Sequence, residues 1–168
     1  DHDLASWYSD TLTSKEISKK EKAAWEMDSV MVQDYDEFLV VGINNNTSQI
    51  SKKGLKKIKE VWQKGKPVIL AMHVPLQSQL SDDLDKASKE VWQDRALIWG
   101  NKDCYYEPNE RTQEFLDMVF AENSPVVAVI GAHLHFAHED QLNDKIVQYV
   151  FDASYKGTVG VITVKPAE

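Results

Sequence analysis

The chain alternates between polar stretches that carry a narrow apolar stripe and short runs that are apolar throughout. Over residues 51–64, Leu55, Ile58, Val61 and Trp62 recur at helical spacing, while Lys52, Lys53, Lys56, Lys57, Lys59 and Lys64 fall elsewhere. That pattern predicts a helix with a solvated basic face. Phe115, Leu116, Val119 and Phe120 predict a second amphipathic helix over 110–121. Leu84, Ala87, Val91 and Leu97 are spaced for burial along an acidic helix over 82–98. A further helix is predicted over 14–27, where Ile17, Ala24 and Trp25 interrupt a lysine- and glutamate-rich stretch and Thr13 or Ser14 provides the cap.

The strands come from the apolar runs. Residues 37–43 predict one, closed by a turn at Asn44-Asn45-Asn46. Pro67 and Pro125 each open another, Val68 to Met72 and Val126 to Ala132. Runs of this length and composition are those of strands buried in a parallel-type sheet. Residues 99–108 read as irregular. Two strands, over 146–151 and 159–165, close the chain, joined by Asp152-Ala153-Ser154-Tyr155-Lys156-Gly157. Strand–helix alternation followed by consecutive strands predicts a mixed sheet of the α/β class.

Both proline-opened runs end in histidine: His73 after the first, His133-Leu134-His135 after the second. Open α/β sheets place their ligand sites at the carboxyl ends of strands, so three of the five histidines are expected to meet there. In extended backbone, His133 and His135 would share a face about 6.5–7 Å apart. That spacing lets each imidazole serve one of two neighbouring ions, since paired catalytic metals sit about 3.5–4 Å apart. Alone, the pattern also suits two hydrogen-bonded histidines near a strand end. His73 on a second strand turns the expectation toward metal. His138, in a polar stretch, reads as a surface histidine.

Charge and cysteine content change the picture only at the margins. A net charge of −8 argues against a nucleic-acid-binding surface but not against a phosphate substrate, because bound divalent cations would dominate the local field. The single cysteine, Cys104, excludes a disulfide or a cysteine-based zinc cluster within these residues and reads as an incidental thiol. No apolar run approaches a membrane span. Asn44, Trp99, Tyr105 and Tyr106 lie in loops that could rim the site, where aromatic side chains could stack on a base or aryl group, although loop aromatics more often pack locally.

The blocks Ala71-Met72-His73-Val74-Pro75-Leu76 and Gly131-Ala132-His133-Leu134-His135-Phe136 resemble the fourth and fifth motifs of the calcineurin-like metallophosphoesterases. Those motifs are a strand-ending histidine followed closely by proline, then G-H-x-H. Asp1-His2-Asp3 resembles the tail of the third motif, G-N-H-[DE], with Asp1 in the place of the asparagine, and Ala132 separates the usual Gly-His junction. Residues 36–44 and the two closing strands agree with the family's order. The first two motifs, D-x-H and G-D-x-x-D, are not in the chain. The resemblance therefore implies that residues 1–168 are the carboxyl-terminal part of one calcineurin-like domain, a processed or trimmed piece. The implied fold is an α/β/β/α sandwich of mixed sheets lacking its amino-terminal strands.

The resemblance also assigns roles. Asp1, His73 and His133 would bind one divalent ion and His135 a second, the pair being manganese, iron or zinc. His2 would stabilise developing charge or protonate the leaving oxygen, and Asp3 would fix its tautomer. The implied activity is hydrolysis of a small phosphomonoester or phosphodiester, with self-association expected where missing strands leave edges uncovered. Two other readings stay open: a domain of the same fold that binds metal without catalysis, and a mononuclear zinc hydrolase built on His73, His133 and His135.

Overall fold

The structure is a computed structural model that describes residues 30–45, 49–100 and 107–165. Its elements are β1 (Val30–Asp34), β2 (Leu39–Ile43), α1 (Lys52–Trp62), β3 (Val68–Met72), α2 (Asp83–Val91), α3 (Glu110–Phe120), β4 (Val126–Gly131), β5 (His138–Gln141) and β6 (Val147–Val150). A 3-10 turn, Ser154–Lys156, follows. The helix expected over 14–27, together with Asp1, His2, Asp3, Cys104, Tyr105 and Tyr106, lies outside the described residues.

The protein is mixed α/β. Its strands form one six-stranded sheet in the order β1-β2-β3-β4-β6-β5, with three α-helices among the described residues. β2, β3, β4 and β6 run parallel, and β1 and β5 add antiparallel edges. The four parallel strands consequently end along one border of the sheet, and every loop that leaves them starts there. No described helix is long and apolar enough to cross a membrane.

Periodicity explains the helices. Ser51 caps α1 by accepting from the Gly54 amide at 2.9 Å, and Asn109 caps α3 by accepting from Thr112 at 3.0 Å. Leu55, Ile58 and Val61 of α1 and Phe115, Leu116 and Val119 of α3 are buried with Leu39, Val41, Val68, Leu70 and Val129 in the main core. Fully burying a side chain of this size contributes roughly 1.5–3 kcal/mol. A second cluster, of Leu84, Ala96, Ile98, Leu134 and Val150, sits under α2.

The structure differs from the sequence pattern in four places. β1 (Val-Met-Val-Gln-Asp) and β5 (His-Glu-Asp-Gln) are strands that the pattern did not mark, and β5, four residues with no apolar side chain, carries no hydrophobic signal. The helix expected over 82–98 ends at Val91. Gln93 and Asp94 adopt left-handed φ of 59° and 64°, and the buried Ser88 hydroxyl donates to Arg95 O and accepts from Leu97 N, folding the chain back. Residues 159–165 form no strand, and the place beside β6 is taken by β5. Trp99, by contrast, packs locally as loop aromatics commonly do: it is fully buried against Phe115.

Candidate metal centre at the carboxyl ends of the parallel strands

His73 directly follows β3, and its backbone is held from both sides. On the β2 side, the wholly buried Asn45 accepts from the amides of His73 and Val74 at 2.8 and 3.2 Å and donates to the Val74 carbonyl at 3.0 Å. Its amide side chain thus stands in for the next rung of a β ladder. On the β4 side, the Ala132 amide donates to the His73 carbonyl at 3.0 Å. Pro75 closes the approach: a Cβ added at Gly131 would lie 2.9 Å from the Pro75 Cβ. Downstream, the buried Gln148 of β6 accepts from Leu76 N and donates to Leu76 O, both at 2.8 Å. The loop is therefore pinned between β2, β4 and β6.

The second histidine loop leaves the ladder. The Phe151 amide donates to Gly131 O at 2.9 Å, after which the Leu134 amide turns back to Ala132 O at 2.7 Å. His133 and His135 both take left-handed φ, 65° and 58°, a region that non-glycine residues occupy at a cost of order 1 kcal/mol or more. Leu134 between them is fully buried in the second cluster, and the Trp92 indole N–H donates to its carbonyl at 3.0 Å. The expected extended geometry, with both imidazoles on one face, is thereby corrected. Backbone that has left the sheet no longer has the period of two.

The imidazoles go to different neighbours. His133 Nδ1 lies 2.9 Å from His73 Nε2, with ring centroids 4.8 Å apart, which brings the two ring nitrogens within hydrogen-bonding distance. His135 stands between Trp92 and Tyr155, at centroid distances of 5.5 and 5.6 Å with near-perpendicular planes. The Tyr155 hydroxyl is 3.4 Å from His135 Nδ1. Lys156 donates to the His135 carbonyl and pairs with Asp152 at 2.9 Å. That hydrogen bond, with one from the Ala153 amide, holds the Asp152 carboxyl below the usual carboxylate range.

A groove of about 300 Å³ runs from His73 along the sheet, lined by Met31, Gly42, Asn44 and Ala71. Larger concavities lie away from the histidines. One of about 870 Å³ is lined by Lys52, Lys53, Lys56, Lys59 and Arg111, with Glu114 bonded to Lys59.

The His73–His133 pair fits a metal in donor type and spacing. Two nitrogens bound at about 2.0–2.1 Å to a tetrahedral ion stand roughly 3.3 Å apart, close to the separation found. Ligand number is smaller than the sequence implied: no group of three histidine, cysteine, aspartate or glutamate side chains converges among the described residues. His135 shares the border but faces an aromatic pair, and Asp1 lies outside the described residues.

Sequence reasoning missed Asn45, read as a turn residue, and also Gln148, Trp92, Tyr155 and Lys156. The signal for Gln148 was a polar residue inside an apolar strand. Compared with protein-family models and with curated proteins, the chain matches none.

Proposed function

We propose that the chain belongs to a metal-dependent phosphohydrolase domain of the calcineurin-like type. Its reaction would be hydrolysis of a small phosphomonoester or phosphodiester by metal-activated water at a binuclear centre. The observation that carries the reading is the 2.9 Å convergence of His133 Nδ1 and His73 Nε2 at the carboxyl ends of adjacent parallel strands. His73 and His133 would hold one divalent ion with Asp1, and His135 a second, the ions being manganese, iron or zinc. When bound, such ions polarise phosphoryl oxygens and lower the pKa of water.

The chain's own residues supply the positioning. Asn45 and Ala132 fix the His73 backbone, and the buried Leu134 fixes the loop between His133 and His135. His2 would protonate the leaving oxygen with its tautomer set by Asp3. A two-sheet sandwich belongs to the same proposal. The sheet face bearing the exposed Met31 would receive the second sheet, and residues 159–165, with Val159 88% and Val161 85% exposed, would extend it. Left uncovered, these surfaces favour self-association.

The presence of only two converged ligand nitrogens among the described residues favours a second reading, a metal-binding domain that does not hydrolyse. Elemental analysis after Mn²⁺ loading and desalting, with alcohol release from p-nitrophenyl phosphate and bis(p-nitrophenyl) phosphate measured on the same sample, separates the two. The phosphohydrolase reading expects close to two ions per chain and release that EDTA abolishes and His133→Ala reduces to background. Release unchanged in His133→Ala overturns it. One ion per chain with no release in excess Mn²⁺ establishes the second reading instead.

A further inference from the structure

We infer that Tyr155 is a specificity-determining residue at the mouth of this site, selecting phosphate esters whose leaving group carries a planar aromatic ring. The inference rests on the phosphohydrolase reading above and goes beyond it by naming the substrate class.

Three observations carry it. Tyr155 is 74% exposed, yet the turn that bears it is fastened to the histidine loop. Lys156, next in the chain, donates to the His135 carbonyl and to the Asp152 carboxylate, which also accepts from the Ala153 amide at 2.7 Å. Gly157, at φ 79°, closes the turn with its amide on Ser154 O at 2.9 Å. The left-handed conformation there suits glycine. An exposed aromatic ring held in place keeps its π surface for a ligand and loses little side-chain freedom on binding.

The second observation is position. The Tyr155 ring stands 5.6 Å from the His135 ring at 85°, with its hydroxyl 3.4 Å from Nδ1. A phosphate ester bound at the histidines would therefore have the Tyr155 ring within reach of its ester substituent. Third, the neighbouring charge is spent internally: Lys156, whose ammonium reaches the His135 carbonyl, is neutralised by Asp152 at 2.9 Å and is not a free cation for a second phosphate. What this side of the site offers is a ring, and rings select by stacking, which tolerates any planar partner.

The test compares wild type, Tyr155→Ala and Tyr155→Phe in Mn²⁺ on phenyl phosphate, adenosine monophosphate and methyl phosphate. Binding of phenylphosphonate and methylphosphonate is measured by calorimetry in parallel. Tyr155→Ala is expected to raise KM for phenyl phosphate and Kd for phenylphosphonate at least fivefold, with the methyl compounds within twofold. Tyr155→Phe is expected to behave as wild type, and because the side chain is exposed, melting curves should coincide. Loss confined to phenyl phosphate assigns an aryl ester, and loss shared by adenosine monophosphate assigns a nucleobase. Equal effects on phenyl and methyl compounds, or no effect on either, overturn the inference while leaving hydrolysis standing. Wild type that releases phosphate from none of the three, and nitrophenol from neither p-nitrophenyl phosphate nor bis(p-nitrophenyl) phosphate, overturns the phosphohydrolase reading, and the inference with it.

Discussion

Two short motifs, His133-Leu134-His135 and His138-Glu139-Asp140, place ionisable groups two residues apart and only three residues from each other. The first has the pattern of extended backbone and is not extended. Both of its histidines are left-handed, Leu134 is the buried anchor, and the imidazoles part toward His73 and toward Trp92 and Tyr155. The other has the composition of polar surface and is strand β5, with His138 and Asp140 on one face of the sheet. There, His138 Nε2 and Asp140 Oδ2 are buried without a hydrogen-bond partner among the described residues. Beyond the carboxyl end of a parallel strand, polar groups find partners on neighbouring strand ends. On an edge strand the period of two imposes a face whether or not that face has partners. Spacing alone decides neither case.

The comparison breaks most directly at Asn45. Asn45→Ala leaves the His73 and Val74 amides and the Val74 carbonyl unpaired in a fully buried place. Each such group costs about 1–3 kcal/mol, partly recovered where water enters, so a loss of about 3 kcal/mol is expected. Urea denaturation should show a lower midpoint at unchanged slope. Retained Mn²⁺ should fall too, because the loop that aims His73 is released. A midpoint within error of wild type would mean that the strand end is held by other contacts, and that the two motifs differ less than their hydrogen bonds imply.

A smaller effect is expected at Gly131. Its φ is not left-handed, so alanine is excluded by space rather than by backbone conformation. The new methyl would sit 2.9 Å from Pro75 Cβ and 3.3 Å from its Cα. Prising the two histidine loops apart should cost about 1–2 kcal/mol, in the range of overpacked cores. Thermal melts report the stability loss, and Zn²⁺ titration reports whether His73 and His133 still converge. An unchanged melt with unchanged affinity would show that the loops have slack between them.

Much of this frame was legible in the sequence because it depends on local pattern. The stripes of α1 and α3, the apolar runs of β3 and β4, and the histidines that end them follow from periodicity and from proline. What escaped depends on pairing between distant segments. Asn45 matters only because β2 and β3 run parallel with Ile43 beside Met72, which sets its amide against His73. Gln148 matters only because β6 brings it beneath Leu76. Trp92 and Tyr155 flank His135 from segments 43 residues before it and 20 after it, and no period links them. The His73–His133 contact was implied by order along the chain, but the turn of His135 away from it was not.

The contrast sharpens at Asp140. Burial pushes its carboxyl above the ordinary aspartate range, and nearby Asp83 pushes the same way. The hydrogen bond donated by Gln148 at 3.1 Å and attraction from His138 oppose the rise without cancelling it. A carboxyl that holds its proton better folded than unfolded contributes stability that is fully present below its unfolded value, near pH 3.9. That stability is lost as pH rises through the folded value, so at pH 7 the ionised group works against the fold. Asp140→Asn removes the charge and keeps an acceptor for Gln148. The variant should therefore be more stable than wild type at pH 7, by about 1 kcal/mol, the low end of the cost of a buried polar group left unpaired. The gap should narrow as pH falls and close below about pH 3.9. Melting temperatures at pH 7 and pH 3.5 measure it. If the asparagine variant is instead the less stable one at pH 7, the carboxylate on β5 is held as firmly as the histidines at the strand ends, and the difference between the two motifs is one of backbone alone.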